Sequence, residues 1–309
     1  MPAWIARRAW SREFKEQRLY VCTDRNQLRH WSSEHDCAKV LSEEASDISN
    51  RRVRAVVQRK LQAEEVARAD LDTGQYYPRI WRRGRYTWAN FGEDCTDHDI
   101  VLGIQAAELL LERMRDVFRT IQPCKANRHS FGHEIRALLL LACTEVESAW
   151  KAVLRVNGYA GRAGAKGFLT TKDYVKLRRP LRLREWVVRM PLFPDYGEVA
   201  PFRSWKASDP TDSLRWYGAY NAAKHDREGS FSMASLERVI EAVAAVFVMV
   251  AAQAGPPILS EGAYSIREFV IARQPSWRLA EEYVPPFEFS QGKGARSLPT
   301  WTPTNYPFR

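Results

Sequence analysis

Apolar positions fall into a regular rhythm from about residue 100. Ile104, Ala107, Leu111, Met114, Phe118 and Ile121 recur at spacings of three and four, so they share one face of a 3.6-residue repeat and predict an amphipathic helix over 102–121. Pro123 breaks it, having no N–H to give to a continuing helix. A stronger stripe follows in Ile135, Leu138, Leu139, Ala142, Cys143, Val146, Ala149, Trp150, Val153 and Leu154. It predicts a helix over 133–156 that Asn157 and Gly158 close. Asp209 and Pro210, a capping acceptor and a residue whose missing N–H is harmless in a first turn, predict a third helix running to about Arg227. Leu236, Val239, Ile240, Val243, Phe247 and Val250 mark the buried face of a fourth, over 233–253, which Gly255 and two prolines end. Four such helices make an antiparallel bundle. The expected fold class is therefore all-α, with Leu139 and Val243 in one core.

The flanks give weaker signals. Residues 1–98 read as a less regular N-terminal region with a helix over Val53 to Ala69 and an aromatic, cationic stretch from Tyr76 to Phe91. Tyr76, Tyr77, Trp81, Arg82, Arg83, Arg85, Tyr86 and Trp88 have the mix of single-strand binders, in which bases stack on rings and cations meet phosphates. Such rings more often pack onto a neighbouring domain, and that reading is preferred. Residues 99–255 form the bundle, interrupted by an insertion over 158–208. Residues 256–309, with Pro285, Pro286, Pro299, Pro303 and Pro307, are expected to be an irregular C-terminal extension.

Charge singles out the insertion. The chain carries +10, and residues 151–200 hold 11 Lys and Arg against 4 Asp and Glu, an excess of 7. Arg178, Arg179, Arg182 and Arg184 are thus candidates for a nucleic-acid-binding surface, a solvated basic loop being the alternative. The Gly158, Gly161, Gly164 and Gly167 loop with Lys166 lacks the Gly-Lys-Ser/Thr ending of a phosphate-binding loop, which argues against an NTPase. Cys22, Cys37, Cys95, Cys124 and Cys143 are an odd number at irregular spacing, unlike a disulfide framework. Cys22, His30, His35 and Cys37 fit no zinc spacing, and neither a metal nor a cofactor is expected. The longest apolar run in the C-terminal half, Ala242 to Ala252, is far shorter than a membrane span, and no secretory leader is evident. The expectation is a cytoplasmic protein without a membrane helix.

The third helix carries the candidate chemistry. Its sequence from Trp216 reads Trp-Tyr-Gly-Ala-Tyr-Asn-Ala-Ala-Lys-His-Asp-Arg, ending at Arg227. Asn221 and His225, four apart, share a face. Histidine titrates near neutrality and serves as a general acid or base, and neighbouring cations stabilise charge on phosphate oxygens. Tyr217, Tyr220, Asn221 and Lys224 also have the spacing of a packing face, with His225 merely capping the end of the helix.

The Tyr-Asn-x-x-Lys-His-Asp-Arg run, between a basic insertion and a closing apolar helix, resembles the motif helix of HEPN domains, a helical-bundle family with many RNA-cutting members. On this resemblance His225 matches the family's histidine and Asn221 its polar residue. Tyr220 stands where an arginine is usual, so Lys224 or Arg227 would supply the charge. Glu147 and Lys151 match the family's Glu-x-x-x-Lys pair on an inner helix. The resemblance implies a metal-independent endoribonuclease of the toxin or phage-defence kind, acting on RNA as a homodimer and held in check by an antitoxin or other neutralising protein. The alternative it admits is a non-catalytic HEPN module that binds nucleic acid, nucleotide or a protein, a reading the tyrosine supports.

Overall fold

The computed structural model describes residues 2–8, 17–24, 27–32, 35–42, 50–84, 95–162, 167–226, 228–259, 266–286 and 300–308. Arg85, Tyr86, Trp88, Phe91, Gly164, Lys166, Arg227 and Pro299 lie outside the described residues, as do the side chains of His35, Cys37 and Cys95. In chain order the elements are β1 (Ala3–Arg8), β2 (Gln17–Asp24), β3 (Gln27–Ser32), β4 (His35–Ser42), α1 (Asn50–Leu61), β5 (Glu65–Arg68), β6 (Gln75–Tyr76), α2 (Cys95–Thr120) and α3 (His133–Val156). They continue as α4 (Thr171–Tyr174), β7 (Val187–Arg189), β8 (Glu198–Val199), α5 (Arg215–His225), α6 (Leu236–Ala254), β9 (Val270–Arg273) and β10 (Thr302–Pro303). The protein is mixed α/β, which corrects the all-α expectation. Two compact units divide it: Met1–Tyr77 with Arg82–Tyr86 and Ser276–Thr304, and Pro78–Trp81 with Thr87–Pro275 and Asn305–Arg309.

The first unit is where the helical expectation fails. A five-stranded sheet in the order β4-β3-β2-β1-β5 is antiparallel throughout. Side chains alternate across it. Trp4, Ala6, Leu19, Val21 and Leu28 meet Val53, Val57 and Leu61 of α1 on one face, whereas Ala3, Ile5, Tyr20, Cys22 and Trp31 meet Leu279 and Val284 on the other. Covering both faces lets apolar residues run consecutively, which removes the polar alternation by which a half-exposed strand is recognised. The helix expected to reach Ala69 stops at Leu61, where Gln62 turns left-handed at φ 52° and the chain enters β5. The tail is also less irregular than expected, since β10 pairs in parallel with β6. Within the aromatic stretch, Tyr76 is buried against Trp301, and the Arg82 guanidinium lies over the rings of Tyr77, Trp277 and Tyr283. These described members are packed together, not splayed for stacking.

The second unit contains the expected helices. α2, α3, α5 and α6 pack on one another, and Leu139 and Val243 are buried. From Ala242 to Ala254 every residue of α6 is buried, so it is apolar on all sides, as a central helix must be. Gln253 within it accepts a 2.7 Å bond from Arg79 Nε. The third predicted helix starts later than Asp209: that carboxylate accepts the Asp212 N–H at 3.2 Å, closing a side-chain turn, and helix begins only at Arg215. The insertion is folded as well. It contributes β7 and β8 to a three-stranded sheet of order β8-β7-β9, and it sends Phe202 and Trp205 into the core. Asp173 closes a capping box with Thr170 and accepts from Tyr159 Oη at 2.8 Å and Arg162 Nε at 3.3 Å.

Candidate functional site

Helix α5 is positioned by its aromatic face. Trp216 and Tyr217 insert into a cluster around fully buried Trp150, which stacks on Trp205 with ring centroids 4.9 Å apart and interplanar angle 22°; Tyr217 lies 5.6 Å from the Trp150 ring. Such contacts add about 0.5–1.5 kcal/mol per pair beyond burial. They fix the rotation of the short helix. Its remaining faces follow from that rotation.

The inner face joins α5 to α3. Tyr217 Oη donates a 2.6 Å bond to Glu147 Oε1, while Lys151 Nζ lies 3.4 Å from Glu147 Oε2. Burial, then the bond to Glu147 and its charge, push the Tyr217 phenol far above its ordinary range, so it stays a donor. Tyr174 is raised to about 12 by burial and by Glu147. Tyr220 is 4% exposed, its ring 5.4 Å from that of Tyr217. Lys224 Nζ reaches Tyr220 Oη at 3.4 Å and lies 5.3 Å from its ring centroid. Glu147, Lys151, Tyr220 and Lys224 are thus gathered into one polar group. The sequence reading missed Tyr217 and Tyr174 as its members; Tyr217 was read only as part of a packing face.

Asn221 and His225 belong to another face. His225 is exposed at the end of α5, where Asp226 N–H still bonds to Ala222 O at 2.9 Å. Asn221 lines a recess of about 670 Å³ between α5, the segment before α3 and the start of α6, together with His129, Arg215 and Arg238. The recess and His225 lie along neighbouring positions of one helix. Sequence reasoning passed over Arg215 and His129. The i, i+3, i+4, i+7 set from Arg215 through Gly218 and Ala219 to Ala222 is the signal that would have shown Arg215, whereas nothing in the sequence pointed to His129.

The basic segment is gathered in part. Arg178 Nη1 donates to Trp205 O at 2.9 Å, and Arg184 Nε to Arg203 O at 2.9 Å. Burial, then Arg184 and Arg179, lower the Arg178 pKa, so these cations lie within reach of one another. Arg182 is turned into a 2.8 Å pair with Glu185 Oε1. The metal candidates are separated: Cys22 faces the cluster with Leu279, whereas His30 lines a small cavity on the Leu19 face. Among the described residues no group of three or more His, Cys, Asp or Glu is placed to hold a metal. No helix among them is long and apolar enough to cross a membrane.

Compared with protein-family models, with curated proteins and with solved structures, the chain matches none.

Proposed function

We propose that the chain is a HEPN-like, metal-independent endoribonuclease, of the toxin or phage-defence kind, working in the cytoplasm as a homodimer under control of a neutralising partner. One observation carries the reading. Helix α5 is locked to the Glu-x-x-x-Lys helix α3 by the Tyr217–Glu147 bond, and it leaves Asn221 at a recess and His225 open to solvent one turn on. A locked helix presenting an exposed histidine beside a cavity suits catalysis better than packing, because positional precision is what a general base needs.

In this mechanism His225 takes the proton of a ribose 2′-hydroxyl. The 2′-oxygen then bonds to phosphorus as the phosphorus–5′-oxygen bond breaks, leaving a 2′,3′-cyclic phosphate and a 5′-hydroxyl. The departing 5′-oxygen takes its proton from the histidine of a second copy. Lys224 stands next to His225 in the helix and supplies positive charge toward the phosphate. Arg178, Arg179 and Arg184 hold the RNA backbone.

Tyr220 favours a second reading. It is buried and bound by Lys224 where the family has an arginine, an arrangement suited to a module that binds RNA, nucleotide or protein without cutting. Incubating the purified chain with RNA and a metal chelator separates the two. Fragments ending in 2′,3′-cyclic phosphate support cleavage, and intact RNA with retained binding supports the module.

A further inference from the structure

The recess beside α5 has a composition that selects its occupant. Ala222 of α5 and the exposed side chain of Met233 supply the apolar part of its lining, whereas Ala219 is buried and the Asp212 carboxylate lies against Gly218. The polar groups around it are of both signs. Arg238 is already compensated by Glu241 at 2.7 Å and Glu237 at 3.3 Å. Arg215 makes no side-chain ion pair or hydrogen bond among the described residues, although the Glu241 carboxylate lies within electrostatic reach of it, and the Asp212 carboxylate and the Asn221 amide likewise make none. One open cation, one open carboxylate and one open amide around an apolar lining do not suit a polyanion alone, which would be repelled by Asp212. A single carboxylate does not make a metal site either. They suit a ligand with one phosphate and a neutral ring bearing donors and acceptors on its edge.

The helix end strengthens the phosphate half of this match. Leu214 occupies the N-cap of α5 and gives no side-chain hydrogen bond to the first turn. The positive end of the helix therefore lies uncapped between Asp212 and Arg215, both of which line the recess. Along α5, Arg215 and Ala222 are about 10 Å apart at 1.5 Å per residue, and His225 lies about 5 Å further on.

From these observations we infer that the recess holds one nucleotide of single-stranded RNA. The base lies against Ala222 and Met233, its edge is read by Asp212 and Asn221, and its phosphate sits at Arg215. The inference rests on the ribonuclease reading only in taking the nucleotide to be part of an RNA strand. It gives the chain a base preference at the recess, because Asp212 accepts hydrogen bonds whereas Asn221 both donates and accepts.

The test is calorimetric titration of the full chain with each common ribonucleoside 5′-monophosphate and its parent nucleoside, in wild type, Arg215→Gln, Ala222→Phe and His225→Ala. At least one monophosphate should bind wild type and His225→Ala alike. Arg215→Gln should weaken it about tenfold or more while leaving the nucleoside unchanged, and Ala222→Phe, which fills the recess, should abolish both. Arg215 is exposed, so its variant decides the matter even if the phenylalanine disturbs the fold. Absence of binding to every monophosphate, or undiminished binding in Arg215→Gln, overturns the inference. A wild type that binds nucleotide but leaves RNA intact removes the ribonuclease and keeps the recess; one that cuts RNA but binds no nucleotide does the reverse.

Discussion

Replacing Tyr217 by Phe removes one oxygen atom and tests whether α5 is truly locked to α3. The ring and its packing on Trp150 remain, and only the 2.6 Å bond to Glu147 disappears. A hydrogen bond to a charged group contributes about 1.5–3 kcal/mol. Glu147 keeps some access to water, with 19% of its side chain exposed, and it keeps its Lys151 partner, which places the cost at the lower end, about 1.5 kcal/mol. With a urea slope of about 2 kcal/mol per molar, the unfolding midpoint falls by about 0.7 M. Tryptophan fluorescence reports it, because Trp150, Trp205 and Trp216 share the affected cluster. A cycle with Glu147→Gln should return a coupling of about 1 kcal/mol, as expected for residues that touch. A midpoint change worth less than about 0.5 kcal/mol, or additive single variants, would refute the lock.

Two further outcomes follow from charge. Asp173 titrates low even though burial works the other way, because Thr170 and Tyr159 donate to its carboxylate and Arg162 lies beside it. Its contribution is present above the unfolded carboxylate value of about 3.9 and is lost as pH falls through the lower folded value, so Asp173→Asn should flatten the acid limb of the melting-temperature profile; an unchanged limb contradicts this. Arg179→Glu with Arg184→Glu, which spares the Arg178 bond to Trp205 O, should weaken RNA binding and reduce the salt slope by about 0.7 for each phosphate that the protein no longer neutralises, and unchanged affinity at moderate salt would mark the patch as a solvated surface.

Helices α2, α3 and α6 were legible because each presents its apolar residues at helical spacing and ends at recognisable residues, Pro123, Asn157 with Gly158, and Gly255. The sheet was not. In β2, Leu19 and Val21 face α1 while Tyr20 and Cys22 face Leu279 and Val284. The second cover comes from a segment more than 250 residues away in the chain, and no local window reveals that both faces are buried. At the site, Glu147 with Lys151 and Asn221 with His225 were visible as spacings. That α5 turns one face to Glu147 of α3 and another, with Asn221 and His225, away from it was hidden, because it depends on the rotation that Trp216 and Tyr217 impose through Trp205 and Phe202 of the insertion. Arg182 shows the same limit: its sequence neighbours suggested a shared patch, and its left-handed backbone at φ 47° instead pairs it with Glu185.

RNA cleavage by His225→Ala beside wild type tests the central claim most directly. His225 is exposed at the end of α5, so the substitution should leave the melting temperature unchanged while the cleavage rate falls by about 100-fold or more, the range for loss of a general acid or base. RNA binding should persist, since the basic side chains that hold the backbone are untouched. A folded His225→Ala protein that cuts RNA at the wild-type rate would contradict the proposed chemistry.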